Sequence, residues 1–112
     1  MLPSGNLTAR EQILQRYVRQ ILDVGQPQAI VLFGSSARGE ATGDSDFDLL
    51  VVEDTRLPPT KRALPYRLAL QPRDVPVDLR VRTPAEIKRA VSEGRSFMSE
   101  VVREGKVLHG HL

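Results

Sequence analysis

The chain has 112 residues, a mass of 12.5 kDa, a formal net charge of +2 and a pI near 9.4. That length fits one compact domain over residues 1–112, and 40% apolar against 27% charged residues excludes disorder, collagen and coiled coil. With no cysteine, disulfides, thiolate zinc sites and cysteine nucleophiles are excluded, and so weak a positive excess does not demand nucleic acid.

Thr8 and Glu11 form the capping-box pattern T-x-x-E. Ile13, Leu14, Tyr17, Val18, Ile21 and Leu22 then recur at helical spacing on one face, with Gly25 and Pro27 as stop signals. Ala29–Phe33 is a short β-branched apolar run and reads as a buried strand. Gly34 to Gly43 is small and polar, a loop with room for one helical turn. Phe47–Val52 reads as a second buried strand. Arg62 to Leu70 has helical spacing but lies among Pro58, Pro59, Pro65 and Pro72. A short helix after Pro59, kinked or broken at Pro65, is expected. Val75 to Val81 alternates and predicts a third strand. Thr83-Pro-Ala-Glu86 is a second capping box with proline at the favoured first helical position. Helices are expected to about Glu93 and from Ser96 to Glu104, then a short edge strand over Lys106–His109. Strands and helices alternate, so the expected class is α+β: a two-layer core with a small mixed sheet of three or four strands and helices packed on one face.

No apolar run approaches the ~20 residues a membrane helix needs. Met1 to Asn6 lack the basic and apolar regions of a signal peptide, so no membrane and a cytoplasmic location are expected. Five Phe and Tyr, no Trp, and no two aromatics at strand spacing leave no stacking platform for single-stranded bases.

The chemistry concentrates between Leu32 and Val52. Strand side chains alternate faces, so Asp46 and Asp48 point one way while Phe47, Leu49 and Val51 point toward a core. On the third strand Asp78 and Arg80 share the face opposite Val77, Leu79 and Val81. If these strands pair with matching faces, Asp46, Asp48 and Asp78 meet. Three carboxylates without histidine suit a hard cation, Mg²⁺ or Mn²⁺. Like charges ~4 Å apart repel by about 4 kcal/mol at a near-surface dielectric, so stability alone would not assemble them. Gly34 permits a sharp turn, and its amides with the Ser35 hydroxyl can hold phosphate oxygens.

Gly34-Ser35, ten intervening residues, Asp46-x-Asp48, and then Asp78 in an apolar strand together resemble the nucleotidyltransferase superfamily of DNA polymerase β. The small size is similar to its minimal branch, the MNT-domain proteins. The resemblance implies that Asp46 and Asp48 bind two Mg²⁺ ions and that Asp78 holds the catalytic one near the acceptor hydroxyl. It implies contacts from Gly34 and Ser35 to the β,γ-phosphates of a nucleoside triphosphate, with Arg38 adding positive charge. Members often carry Arg where this chain has Ser36, which leaves one fewer cation here. Members of the branch commonly act as antitoxins beside a helical HEPN-domain RNase, and some transfer AMP from ATP to a tyrosine of that toxin.

Competing readings fall short. Asp44, Asp46 and Asp48 fit the first EF-hand ligands, but Leu49 and Thr55 occupy positions that need Gly and Glu. Gly34 and Gly39 have Walker spacing, but Glu40-Ala41 follow where Lys-Ser/Thr is required. An acidic solvated loop does not explain the joint glycine-serine, spacing and strand signals. Arg38 has an alternative partner in Glu40 or Asp44, and Arg80 is expected to neutralise the acids. Asp74 reads as a turn cap, and His109 and His111 as frayed surface residues.

The resemblance implies Mg²⁺-dependent transfer of AMP from ATP to a hydroxyl, with a HEPN-type toxin as protein partner and its tyrosine as acceptor. The alternative is a binding module that masks a partner's active site without catalysis. A template nucleic acid is not expected, since there is no room for a domain to hold a duplex. Self-association stays open.

Overall fold

The computed structural model describes residues 7–42 and 45–112. Met1 to Asn6, Gly43 and Asp44 lie outside the described residues, and with them the Asp44 pairing and the first EF-hand position.

Helix α1 spans Ala9–Val24. The Thr8 hydroxyl accepts from the Glu11 N–H at 3.1 Å and donates to Glu11 Oε1 at 3.0 Å, so the cap signal acts as expected. Gly25 closes the helix with extended backbone, its N–H donating to the Ile21 carbonyl. Its missing side chain matters for packing, because a Cβ there would lie 2.3 Å from the Tyr66 hydroxyl.

Strands β1 (Ala29–Phe33), β2 (Phe47–Val52), β3 (Val77–Arg82) and β4 (Lys106–Gly110) form one mixed sheet in the order β3-β2-β1-β4. β1 runs antiparallel to β2 and β4, and β2 runs parallel to β3. The α+β class and the mixed four-stranded sheet are as expected, and the helices extend to the second face as well. The reason lies in β1 and β2: every residue of β1 is buried, as is every residue of β2 except half-buried Asp48. Strands apolar on both faces need cover on both.

On one face Ile30, Leu32, Leu49, Val51, Leu79 and Val81 pack with Tyr17 and Ile21 of α1 and with Tyr66 of α3 (Leu64–Ala69). On the other, Ala29, Val31, Phe33, Leu50 and Val52 pack with Ile87 of α4 (Pro84–Ser92) and with Met98 and Val101 of α5 (Ser96–Glu104). Each such Val, Leu or Ile side chain stabilises by roughly 1.5–3 kcal/mol relative to exposure.

The two largest boundary differences from the sequence reading have physical causes. β3 begins at Val77 and not Val75, because Tyr17 takes the Val75 backbone out of the ladder. The Tyr17 hydroxyl accepts from the Val75 N–H at 2.9 Å and donates to its carbonyl at 2.8 Å. The proline-rich segment divides into a 3₁₀ turn at Pro59–Lys61 and α3, whose first turn holds Pro65 where the missing N–H costs nothing. The short helix α2 (Gly34–Ala37) is the one helical turn expected after β1. Among the described residues, no helix is long and apolar enough to cross a membrane.

Candidate active site

The parallel pairing of β2 and β3 sets Asp48 directly opposite Asp78. The antiparallel pairing of β1 and β2 sets Phe33 opposite Asp48. Asp78, Asp48 and Phe33 thus form one row across three strands, on the face that α4 and α5 cover further along. Asp46 stands two residues ahead of Asp48 at the mouth of β2, exposed.

The Asp48 carboxyl is held above the usual carboxylate range. Burial is the largest cause, then the charges of Asp78 and Asp46, with Arg80 and Arg38 acting in opposition. Asp48 therefore feels the charge of both other acids, and two cations only partly offset them. Arg80 Nη2 lies 3.5 Å from Asp78 Oδ2, a loose pair consistent with the neutralising role expected of it. Arg38 is engaged by Glu40, Nε to Oε1 at 2.5 Å. Asp74 pairs with Arg16 instead of serving only as a turn cap.

Gly34 has φ +72°, and a Cβ built on it would lie 2.3 Å from Asp48 Oδ2. The turn after β1 thus presses bare backbone against the carboxylate. Ser35 follows in the first turn of α2, half-buried, and its hydroxyl has no hydrogen-bond partner among the described residues. A free hydroxyl next to a positive-φ glycine, beside carboxylates, can take a phosphate oxygen.

The donor set fits a hard divalent cation. It offers only carboxylate oxygens, with repulsion that a cation relieves, and a cradle at Gly34 that any side chain would fill. Among the described residues no three acidic or histidine side chains lie close enough to form a ready-made ligand cage. Asp48 and Asp78 are the register-locked pair, and Asp46 is the more open member.

Mg²⁺ is accordingly expected to raise the melting temperature. Asp48→Asn is expected to raise stability in metal-free buffer, by about 0.2–1 kcal/mol, the range for directly opposed cross-strand charges. Melting curves in EDTA and in Mg²⁺ check both. Superimposable wild-type curves with a destabilised variant would remove the clustered metal site.

Two neighbours escape sequence reasoning. Phe97, 41% exposed at the start of α5, meets Phe33 edge-on at 5.6 Å, and Arg80 lies over its ring at 4.8 Å. The other four aromatics are buried, so the one exposed ring stands beside the Asp78–Arg80 pair. Arg10 of α1 reaches the opposite side of the turn, donating to Ser36 Oγ at 3.0 Å. Neither has a local sequence signal, because both contacts join distant segments.

The family model described as nucleotidyltransferase domain matches residues 12–104. Among curated proteins, none matches the chain. Several solved structures do. One, assigned as a nucleotidyltransferase from Sulfolobus solfataricus, is 18% identical with a TM-score of 0.65, covering 89% of this chain and 79% of that one. A toxin–antitoxin structure with AMP-PNP is 26% identical with a TM-score of 0.59, covering 90% and 73%. A complex of tri-AMPylated Shewanella oneidensis HEPN toxin with MNT antitoxin is 22% identical with a TM-score of 0.59, covering 91% and 73%.

Proposed function

The chain belongs to the nucleotidyltransferase domain family, and from that premise we propose that it transfers AMP from ATP, with Mg²⁺, to a hydroxyl of a partner protein. The partner proposed is a HEPN-type toxin, the acceptor a tyrosine, and the outcome neutralisation of the toxin. The observation that carries the reading is the Asp48 carboxylate, seated against bare backbone at Gly34 and opposite Asp78. The likeness to a toxin–antitoxin structure holding AMP-PNP supports the nucleotide and the kind of partner.

The cation would be held by Asp46, Asp48 and Asp78; when bound it supplies charge neutralisation at the phosphates and lowers the acceptor's pKa. Gly34 and Ser35 bind and orient the β,γ-phosphates through backbone N–H groups and the Ser35 hydroxyl. Asp78 takes the acceptor proton on a carboxylate oxygen. The acceptor oxygen forms its bond to the α-phosphorus, the bond from that phosphorus to the α,β-bridging oxygen breaks, and pyrophosphate leaves. Arg38, shared with Glu40, adds positive charge near the turn. The open face above the Asp48–Asp78 row suits a projecting side chain of another protein.

Intact mass spectrometry of the partner after incubation with ATP and Mg²⁺ tests the proposal directly. A gain of AMP supports it, and an unmodified partner that is nonetheless silenced favours masking. Ser35→Ala is expected to weaken triphosphate binding about 10- to 150-fold while the melting temperature stays put, since one hydrogen bond to a charged group contributes about 1.5–3 kcal/mol. Titration calorimetry with ATP and Mg²⁺ checks this. Unchanged binding and transfer would take Ser35 out of the site.

A further inference from the structure

We propose that Arg10 is a positioning residue that braces the glycine-serine turn against the mouth of β2, and so sets the spacing between the phosphate-binding turn and Asp46 and Asp48. The proposal rests on the transfer reading above for its functional consequence. Its structural part stands on the contacts alone.

Arg10 Nη2 donates to Ser36 Oγ at 3.0 Å and to the Asp46 carbonyl at 3.4 Å, and the guanidinium lies 4.3 Å over the Phe47 ring. One group thus touches α2, the backbone of the first carboxylate, and the side chain between the two carboxylates. Helix α2 is only four residues long. Its own bonds are local, from Arg38 N–H to the Gly34 carbonyl, Gly39 N–H to Ser36 and Glu40 N–H to Ser35. Among the described residues, the Arg10 bond is the only side-chain hydrogen bond that reaches α2 from another element. Beyond that bond the turn is held by the packing of Ala37 on the core and of Gly34 against Asp48.

One end of this arginine works against stability. Its Nη1 is buried without a partner among the described residues, an arrangement that costs free energy. Lysine would not replace it, because a single ammonium cannot stack on a ring and bridge two acceptors as a planar guanidinium can. A brace of this kind matters for group transfer, since a displacement of ~1 Å between phosphate and catalytic groups can cost about a hundredfold in rate.

The experiment compares wild type with Arg10→Met and Arg10→Lys by native-state hydrogen exchange, melting temperature and steady-state transfer. The bonded amides of the turn and strand mouth, those of Arg38, Gly39, Glu40 and Phe47, are expected to exchange roughly tenfold faster or more in both variants, while the β1–β2 core keeps its protection. The transfer kcat is expected to fall about 10- to 100-fold, with KM for ATP changed far less. If Arg10→Met does not fold, Arg10→Lys keeps the charge and the stem over Phe47 and carries the same comparison. Exchange of the turn and strand mouth identical to wild type in a folded variant overturns the proposal. So does a uniform loss of protection across the whole sheet, which marks a merely structural role. Faster local exchange beside a wild type that transfers nothing to any acceptor supports the brace, and it is then the transfer reading that fails.

Discussion

With both Asp46 and Asp48 changed to asparagine, AMP transfer to the partner is expected to fall by at least about a thousandfold, while the chain still folds and still binds the partner. The loss follows from what the pair is assigned to do. Stabilisation of transition-state charge by a bound cation amounts to several kcal/mol, and each 1.36 kcal/mol is tenfold in rate. Folding should survive because Asp46 is exposed and Asp48 only half-buried. Removing two charges from beside Asp78 also relieves repulsion in the metal-free chain. The measurement combines intact mass of the partner with its RNase activity at equal concentrations of wild type and variant. Catalysis requires an AMP adduct with wild type, and none, with lost neutralisation, with the variant. If the variant silences the partner as well as wild type and neither leaves an adduct, masking is the function.

Those two aspartates were legible because their signal is local. Strand alternation predicts one face for both, and in the structure the turn at Gly34 meets Asp48. Asp78 needed one further step, the register of a parallel pair. The apolar alternation of Val77, Leu79 and Val81 fixed its face, and the structure sets it opposite Asp48. The first helix and both central strands were equally plain, each with its own period and stop signals.

What stayed hidden depends on contacts between distant segments. The bonds of Arg10 span 26 and 36 residues, so no window along the chain contains both ends. Tyr17 read as one more apolar residue of a helical face. Its hydroxyl in fact captures Val75, 58 residues away, and shortens β3 at its start. Gly25 read as a helix stop, yet the constraint on it is the Tyr66 hydroxyl. The cover on the second sheet face was implicit in two strands with almost no polar interruption. Asp48 is that interruption, a charged side chain in an otherwise buried strand, set against Gly34 and opposite Asp78.

Gly34→Ala should damage the site more than any other single methyl addition to the turn. Two penalties coincide there. At φ +72° an L-residue costs roughly 1–2 kcal/mol, and the added Cβ would lie 2.3 Å from Asp48 Oδ2. The carboxylate is the end of a side chain, so it will move and the backbone will not. Asp48 then swings out of line with Asp78, and transfer is expected to fall about a hundredfold or more for a displacement of ~1 Å. Gly39→Ala separates the two penalties. Gly39 has φ +75°, and nothing lies within 4 Å of a Cβ built there. It is expected to lose a similar ~1–2 kcal/mol to backbone strain, yet to keep the Mg²⁺-induced rise in melting temperature and the transfer rate. Gly34→Ala should lose all three. Melting curves with and without Mg²⁺, beside the transfer assay, make the comparison. Two alanine variants with equal stability loss and equal retained activity would show that the Gly34–Asp48 contact has no part in the chemistry.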